Sequence, residues 1–178
     1  MNDSVIILFD IPDYRIEHLR QEHIRALQGL LEKCTDYSEL VTGLPPDSSS
    51  AQTLLVDHPE EKSLDDKYVI GVFNIEGELV GVLDVVRNYP VQHEWWLGLL
   101  LLDPQYRSKG LGRQVYYQFE QWVSRQGVQS IWLGVVEQNE RACQFWRSMG
   151  FEPIERRQPI RMGNLENVVL VMKRSVSR

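Results

Sequence analysis

Between Leu100 and Arg113 the chain reads Leu-Leu-Leu-Asp-Pro-Gln-Tyr-Arg-Ser-Lys-Gly-Leu-Gly-Arg. Arg107, Lys109 and Arg113 surround Gly110 and Gly112, in a chain whose net charge is −6. An apolar run precedes this turn and a helical pattern follows it. The chemistry of that arrangement is anion binding. A helix N-terminus carries unpaired N–H groups and the positive end of the helix dipole. Glycines let that backbone approach an anion with no Cβ in the way. Arg107, Ser108, Lys109, Gly110, Leu111 and Gly112 are therefore read as a cradle for a phosphate-bearing cofactor. Neither GxxxxGK[ST] nor GxGxxG occurs, which speaks against a P-loop or a dinucleotide fold.

Three carboxylates lie beside apolar strand patterns and are candidate proton acceptors. Asp84 sits inside the run Val80 to Val86, Glu94 opens the run to Leu102, and Glu137 ends the run from Ile131. Such surroundings raise a carboxyl pKa toward values useful to a base. The alternative for each is a structural hydrogen bond or a solvated strand end. His93, Trp95 and Trp96 suit either a cation pocket or sheet core. His93-Glu94 lacks the second His of a zinc helix, and the two cysteines, Cys34 and Cys143, lack CxxC spacing. No metal is expected.

The elements that must position these groups follow from periodicity and turn residues. Val5 to Phe9 predicts a first strand. Ile24, Leu27, Leu31 and Cys34 predict a helix over 22–33. Gly43 to Ser50 reads as a loop, Ala51 to Val56 as a short helix, and Glu60 to Asp66 as a charged connection. Tyr68 to Phe73 and Leu79 to Val86 form a hairpin about Glu76-Gly77. Glu94 to Leu102 is apolar on both faces and so a central strand. A helix over 111–125 buries Leu111, Val115, Phe119 and Trp122. A strand over 131–136 precedes a helix that Asn139 caps and Gly150 closes. Strands over 151–160 and 168–173 end the chain. One mixed α/β domain over 1–178 is expected, with a helical substrate-shaping part over about 1–66 and a cofactor-binding core over about 67–174.

Bulk properties fit this reading. The chain has 178 residues, 43% apolar and 25% charged, which suits one domain with a sizeable core. A net charge of −6 argues against a nucleic-acid binder and mildly favours cationic substrates. The N-terminus lacks a signal-peptide pattern, and the longest apolar run falls well short of the roughly 20 residues a bilayer requires. A soluble cytoplasmic protein without a membrane partner is expected. The apolar C-terminal strands offer a homodimer pairing.

Leu100 to Gly112 resembles the acetyl-CoA motif of the GCN5-related N-acetyltransferases: apolar strand, x-Pro-x-Tyr-Arg, then Gly-x-Gly. At the right distance, Asn139-Glu140-Arg141-Ala142-Cys143-Gln144-Phe145-Trp146-Arg147-Ser148-Met149-Gly150-Phe151 is similar to that family's Asn-x-x-Ala-x-x-Phe-Tyr-x-x-x-Gly-Phe. The resemblance covers about 79–173. It implies a mostly antiparallel sheet flanked by helices, with two central strands splayed apart. It implies acetyl-CoA as cosubstrate, its pyrophosphate on backbone N–H groups from Arg107 to Gly112. The pantetheine would run along Leu100, Leu101 and Leu102 and meet the amide of Asn139. The implied activity is acetyl transfer to a primary amine of a small molecule or peptide by direct attack on the thioester. Trp146 departs from the pattern, standing where the family usually has the Tyr that protonates the thiol. An indole N–H does not supply a proton. A thiol of pKa about 8.5 leaves well unaided, and Tyr106, Tyr116 and Tyr117 are other candidate donors. Trp146 also motivates an alternative, a non-catalytic acyl-CoA-binding or regulatory module.

Overall fold

A computed structural model describes residues 8–176. The expected strand over 5–9 falls mostly outside them, and Leu8 and Phe9 are buried but not in a strand. The elements are β1 (Arg15–His18), α1 (Ile24–Lys33), α2 (Thr35–Thr42), α3 (Ser50–Val56), β2 (Lys67–Phe73), β3 (Leu79–Val86), β4 (Glu94–Leu102), α4 (Leu111–Arg125), β5 (Ser130–Val136), α5 (Glu140–Ser148), β6 (Glu152–Arg156), β7 (Ile160–Met162), β8 (Leu165–Asn167) and β9 (Val169–Ser175). β3, β4 and α4 have the predicted limits. The strand expected over 151–160 is instead β6 and the start of a separate β7–β8 hairpin. β1 and α2 were not anticipated.

Seven strands form one sheet in the order β1-β2-β3-β4-β5-β9-β6, and every neighbouring pair is antiparallel except β4 with β5. β9 has both edges occupied, by β5 and β6, and β6 is the outer strand of the sheet among the described residues.

The apolar patterns account for two cores, one on each face of the sheet. On one face α4 and α5 bring Leu111, Val115, Phe119, Trp122 and Trp146 against Ile70, Leu97, Ile131 and Leu133. On the other, Leu27, Leu30 and Ala51 of α1 and α3 meet Val69, Val82 and Leu101. The β7–β8 hairpin docks on the end of α2. Asn167, 1% exposed, donates from Nδ2 to the Val41 carbonyl at 2.6 Å, and the Asn164 N–H reaches the Thr42 carbonyl at 2.7 Å. No helix among the described residues is long and apolar enough to cross a membrane.

Candidate active site

β4 and β5 are paired from Glu94↔Ser130 only to Leu97↔Leu133. Beyond that point β4 stays on β3 to Gly81↔Leu102, while β5 stays on β9 to Val136↔Val169. The two central strands therefore part in a V. The parting coincides with an irregularity in β4: Val85 faces Leu97 and Asp84 faces Leu99, leaving Gly98 as the extra residue of a bulge. The Asp103 N–H reaches back to the Val80 carbonyl at 2.8 Å. By strand alternation Leu101 turns its backbone groups to β3, and Leu100 and Leu102 turn theirs into the gap. Leu102's carbonyl is occupied, accepting from Arg107 Nε at 2.8 Å and from the Cys34 thiol at 3.4 Å. Leu100 is left facing the gap with both donor and acceptor.

The turn read from the sequence as a phosphate cradle lies between β4 and α4, at the mouth of this gap. Ser108 (φ +60°) and Gly110 (φ +88°) adopt left-handed backbone, which folds successive N–H groups toward one point. Gly110 is the residue before α4, and nothing stands within 4 Å of where its Cβ would be. The first-turn N–H groups of Leu111, Gly112 and Arg113 have no partner within the helix. These observations fit a pyrophosphate: a concave backbone donor set, a helix dipole and open space before it.

The basic side chains divide into two groups. Arg107 turns away from the cradle. Its guanidinium makes a two-pronged contact with Asp36 in the first turn of α2, 3.2 Å for the longer arm, and holds that carboxyl below its usual range. Of Arg107, the backbone is what remains to face the turn. Arg113 and Arg141 bracket the turn from outside, donating to Ser148 Oγ at 3.3 Å and Ser108 Oγ at 2.7 Å. Arg141 was not singled out from the sequence. A signal was available, because a cation in a helix's first turn opposes the dipole and asks for an anionic partner. Asn139 caps α5, its Oδ1 accepting from the Ala142 N–H at 3.1 Å.

The three carboxylates separate clearly. Glu94 lies in the paired part of β4, where it accepts from Lys173 Nζ and Trp132 Nε1, both at 2.7 Å. Glu137 is held by Arg156 through both oxygens, at 2.9 and 2.8 Å, and this contact lowers its pKa. Asp84 stands at the bulge, and a Cβ on Gly98 would be 3.2 Å from its Oδ2. Its partners across the sheet, Val69 and Leu99, both pack on the α1/α3 side, so Asp84 faces that side. Burial pushes its pKa up despite Lys67 Nζ at 2.6 Å, and the Asp57 carboxylate after α3 adds to the upward push. Lys67 itself is buried.

Trp146 is 8% exposed and edge-on to Tyr116, Phe145 and Phe151, a core position. Tyr116 is also buried, and its hydroxyl has no partner among the described residues. Tyr106 accepts a hydrogen bond from Asn74 at 3.0 Å, and Tyr117 is exposed.

A mixed sheet whose two parallel central strands part beside a glycine turn at a helix N-terminus defines the N-acetyltransferase type of α/β fold. The chain belongs to the acetyltransferase (GNAT) family, whose model matches residues 28–151. Acetyl transfer is the chemistry of that family. The fold is similar to an acetyltransferase from Thermus thermophilus, at 22% identity and TM-score 0.75, over 91% of this chain and 96% of that one. It is also similar to the ribosomal-protein-S18-alanine N-acetyltransferase of Escherichia coli, at 18% identity and TM-score 0.66, over 93% and 95% of the two chains. Spermidine N-acetyltransferase from Vibrio cholerae, solved with CoA and spermine, shares 14% identity and a TM-score of 0.69 over 93% of this chain and 97% of that one. At these identities the likeness is one of fold. No curated protein matches the sequence.

Proposed function

We propose that this protein transfers an acetyl group from acetyl-CoA to a primary amine, with Asp84 as the proton acceptor. The observation that carries the reading is the placement of Asp84, a half-buried carboxylate of raised pKa at the bulge where β4 and β5 part. The neighbour solved with CoA and spermine supports an amine acceptor.

The cosubstrate would rest its pyrophosphate on the N–H groups from Ser108 to Arg113, bracketed by Arg113 and Arg141. Its pantetheine arm would add to the free edge of β4 at the Leu100 carbonyl and the Leu102 N–H, in the manner of an extra strand. The Asn139 amide, held by its cap bond, lies at the start of α5 to meet it. When bound, acetyl-CoA supplies an acyl group activated as a thioester. The chain's own residues do the rest. Asp84 takes a proton from the incoming ammonium or amine, directly or through a water, and its raised pKa matches it better to that task than an ordinary carboxylate. Lys67 orients the carboxylate and limits the cost of burying its charge. The Leu100 N–H, facing the gap, is placed to stabilise a developing oxyanion. No side chain is required to protonate the departing thiol, since thiolate is a fair leaving group near neutral pH. Trp146 then serves as core.

The test is amine-dependent thiol release from acetyl-CoA by the wild type and by the double variant Asp84→Asn/Lys67→Met, which removes both charges of the pair together. Turnover by the wild type, lost in the variant while acetyl-CoA still binds, supports the reading. Equal turnover in both sinks Asp84 as the base.

A further inference from the structure

The α1/α3 face of the sheet, where Asp84 emerges, also carries a cation that the transfer chemistry leaves unused. Trp96 lies two residues before Gly98 on β4. A Cβ at Gly134, across the point where the strands part, would stand 3.4 Å from the indole Cζ2. The glycine thus admits the ring to the floor of the V. Tyr89 meets the same ring edge-on at 5.8 Å. The Arg157 guanidinium stands over it, 5.9 Å from the ring centroid. Arg157 is positioned by its backbone, whose N–H donates to the Val169 carbonyl at 2.9 Å.

Three other cations are each held closely by a carboxylate. Lys173 is 2.7 Å from Glu94, Lys67 is 2.6 Å from Asp84, and Arg156 holds Glu137 with two bonds. Among the described residues the carboxylate contact of Arg157 is a loose one, Nε to Glu155 Oε2 at 3.6 Å, with the two side chains 47% and 55% exposed. Such a pair is screened and easily exchanged for a better partner. A guanidinium fork prefers a planar oxyanion that accepts two parallel bonds. Arg157 and Arg161 also belong to a basic stretch, Arg156-Arg157-Gln158-Pro159-Ile160-Arg161, in a chain of net charge −6.

We infer that the acceptor is a primary amine bearing a carboxylate, as an α-amino acid does: the carboxylate docks on Arg157, the apolar part lies on Trp96, and the amine faces Asp84. This rests on the amine-transfer reading above. A purely cationic acceptor would meet Arg157 as a like charge, whereas a zwitterion satisfies both ends of the site.

The probes are L-methionine and L-phenylalanine, each paired with its carboxamide, and unfunctionalised primary amines as a third set. The wild type is expected to use the free acids with kcat/KM about ten- to a hundred-fold above the carboxamides, the scale of one charged hydrogen-bonded contact. Arg157→Gln raises KM for the free acids by a similar factor and leaves the carboxamides unchanged. Arg157→Lys recovers part of the loss, and Kd for acetyl-CoA is the same in all three proteins. Free acids and carboxamides used equally by the wild type would overturn the inference while leaving amine transfer intact. So would an Arg157→Gln effect equal on both. Absence of transfer to every amine, with acetyl-CoA still bound, would instead overturn the transfer reading and the inference with it.

Discussion

Arg107 of the phosphate turn is held by Asp36 of α2, 71 residues away in sequence, through both guanidinium arms. The same Arg107 donates from Nε to the Leu102 carbonyl at the end of β4. One side chain therefore ties the helical N-terminal part to the strand and the turn that would receive the cofactor. Because the Arg107 contact depresses the Asp36 pKa, the pair has a definite pH signature. It contributes stability above the unfolded carboxyl value of about 4 and loses it as pH falls through the depressed folded value. Asp36→Asn is expected to flatten the acid limb of stability against pH, measured by denaturant unfolding. An unchanged acid limb would deny the coupling.

Gly110 carries the turn's left-handed backbone, and Gly110→Ala should cost about 1 kcal/mol of stability at φ +88°. Acetyl-CoA affinity should fall further, by about tenfold, because the N–H groups no longer converge. Calorimetric titration checks both affinity and stoichiometry. Unaltered affinity would place the pyrophosphate elsewhere.

Arg141→Ala removes the donor to Ser108 and the cation beside the turn. Acetyl-CoA binding should weaken about tenfold at low salt, with the difference shrinking as salt rises. A loss independent of salt would point to loop packing instead of charge.

The raised pKa of Asp84 predicts a pH–rate profile that climbs as the carboxyl loses its proton. Its midpoint should lie above the ordinary carboxyl value of about 4. Lys67 pulls that midpoint down and Asp57 pushes it up, so Asp57→Asn should move it lower. Asp84→Asn/Lys67→Met should abolish the limb and reduce kcat about a hundredfold or more. A midpoint that ignores Asp57→Asn would contradict this assignment.

Trp146→Tyr tests whether the missing tyrosine matters. The Trp146 ring packs on Tyr116, Phe145 and Phe151, so the smaller ring should cost about 1–2 kcal/mol. The rate should change by no more than about threefold, since the thiol leaves unaided. A large gain in rate over a near-silent wild type would instead revive the reading of a non-catalytic acyl-CoA-binding or regulatory module.

The best-read parts of the sequence were those whose signals are local. The run Glu94 to Leu102, the stripe Leu111-Val115-Phe119-Trp122 and the Asn139 cap each declare their element through period or capping, and the structure has them there. β1 escaped because Arg15-Ile16-Glu17-His18 is too short and polar to read as a strand, and it exists by pairing with β2. α2 escaped because Thr35 to Thr42 has no buried residue to set a period. The site's decisive partnerships are equally nonlocal. Lys67 reaches Asp84 because the β2–β3 register sets Lys67 opposite Val86, and Arg107 reaches Asp36 only through tertiary packing. Three acidic candidates that look alike in sequence differ because Arg156, Lys173 and Trp132 take two of them.

The most direct test of the account is to measure free thiol and N-acetylated product together, in one reaction of the wild-type protein, acetyl-CoA and a broad panel of primary amines. The account predicts that at least one amine yields thiol and N-acetyl product in equal amounts. Acetyl-CoA that binds and stabilises the fold, yet releases no thiol beyond background with any amine, would contradict it.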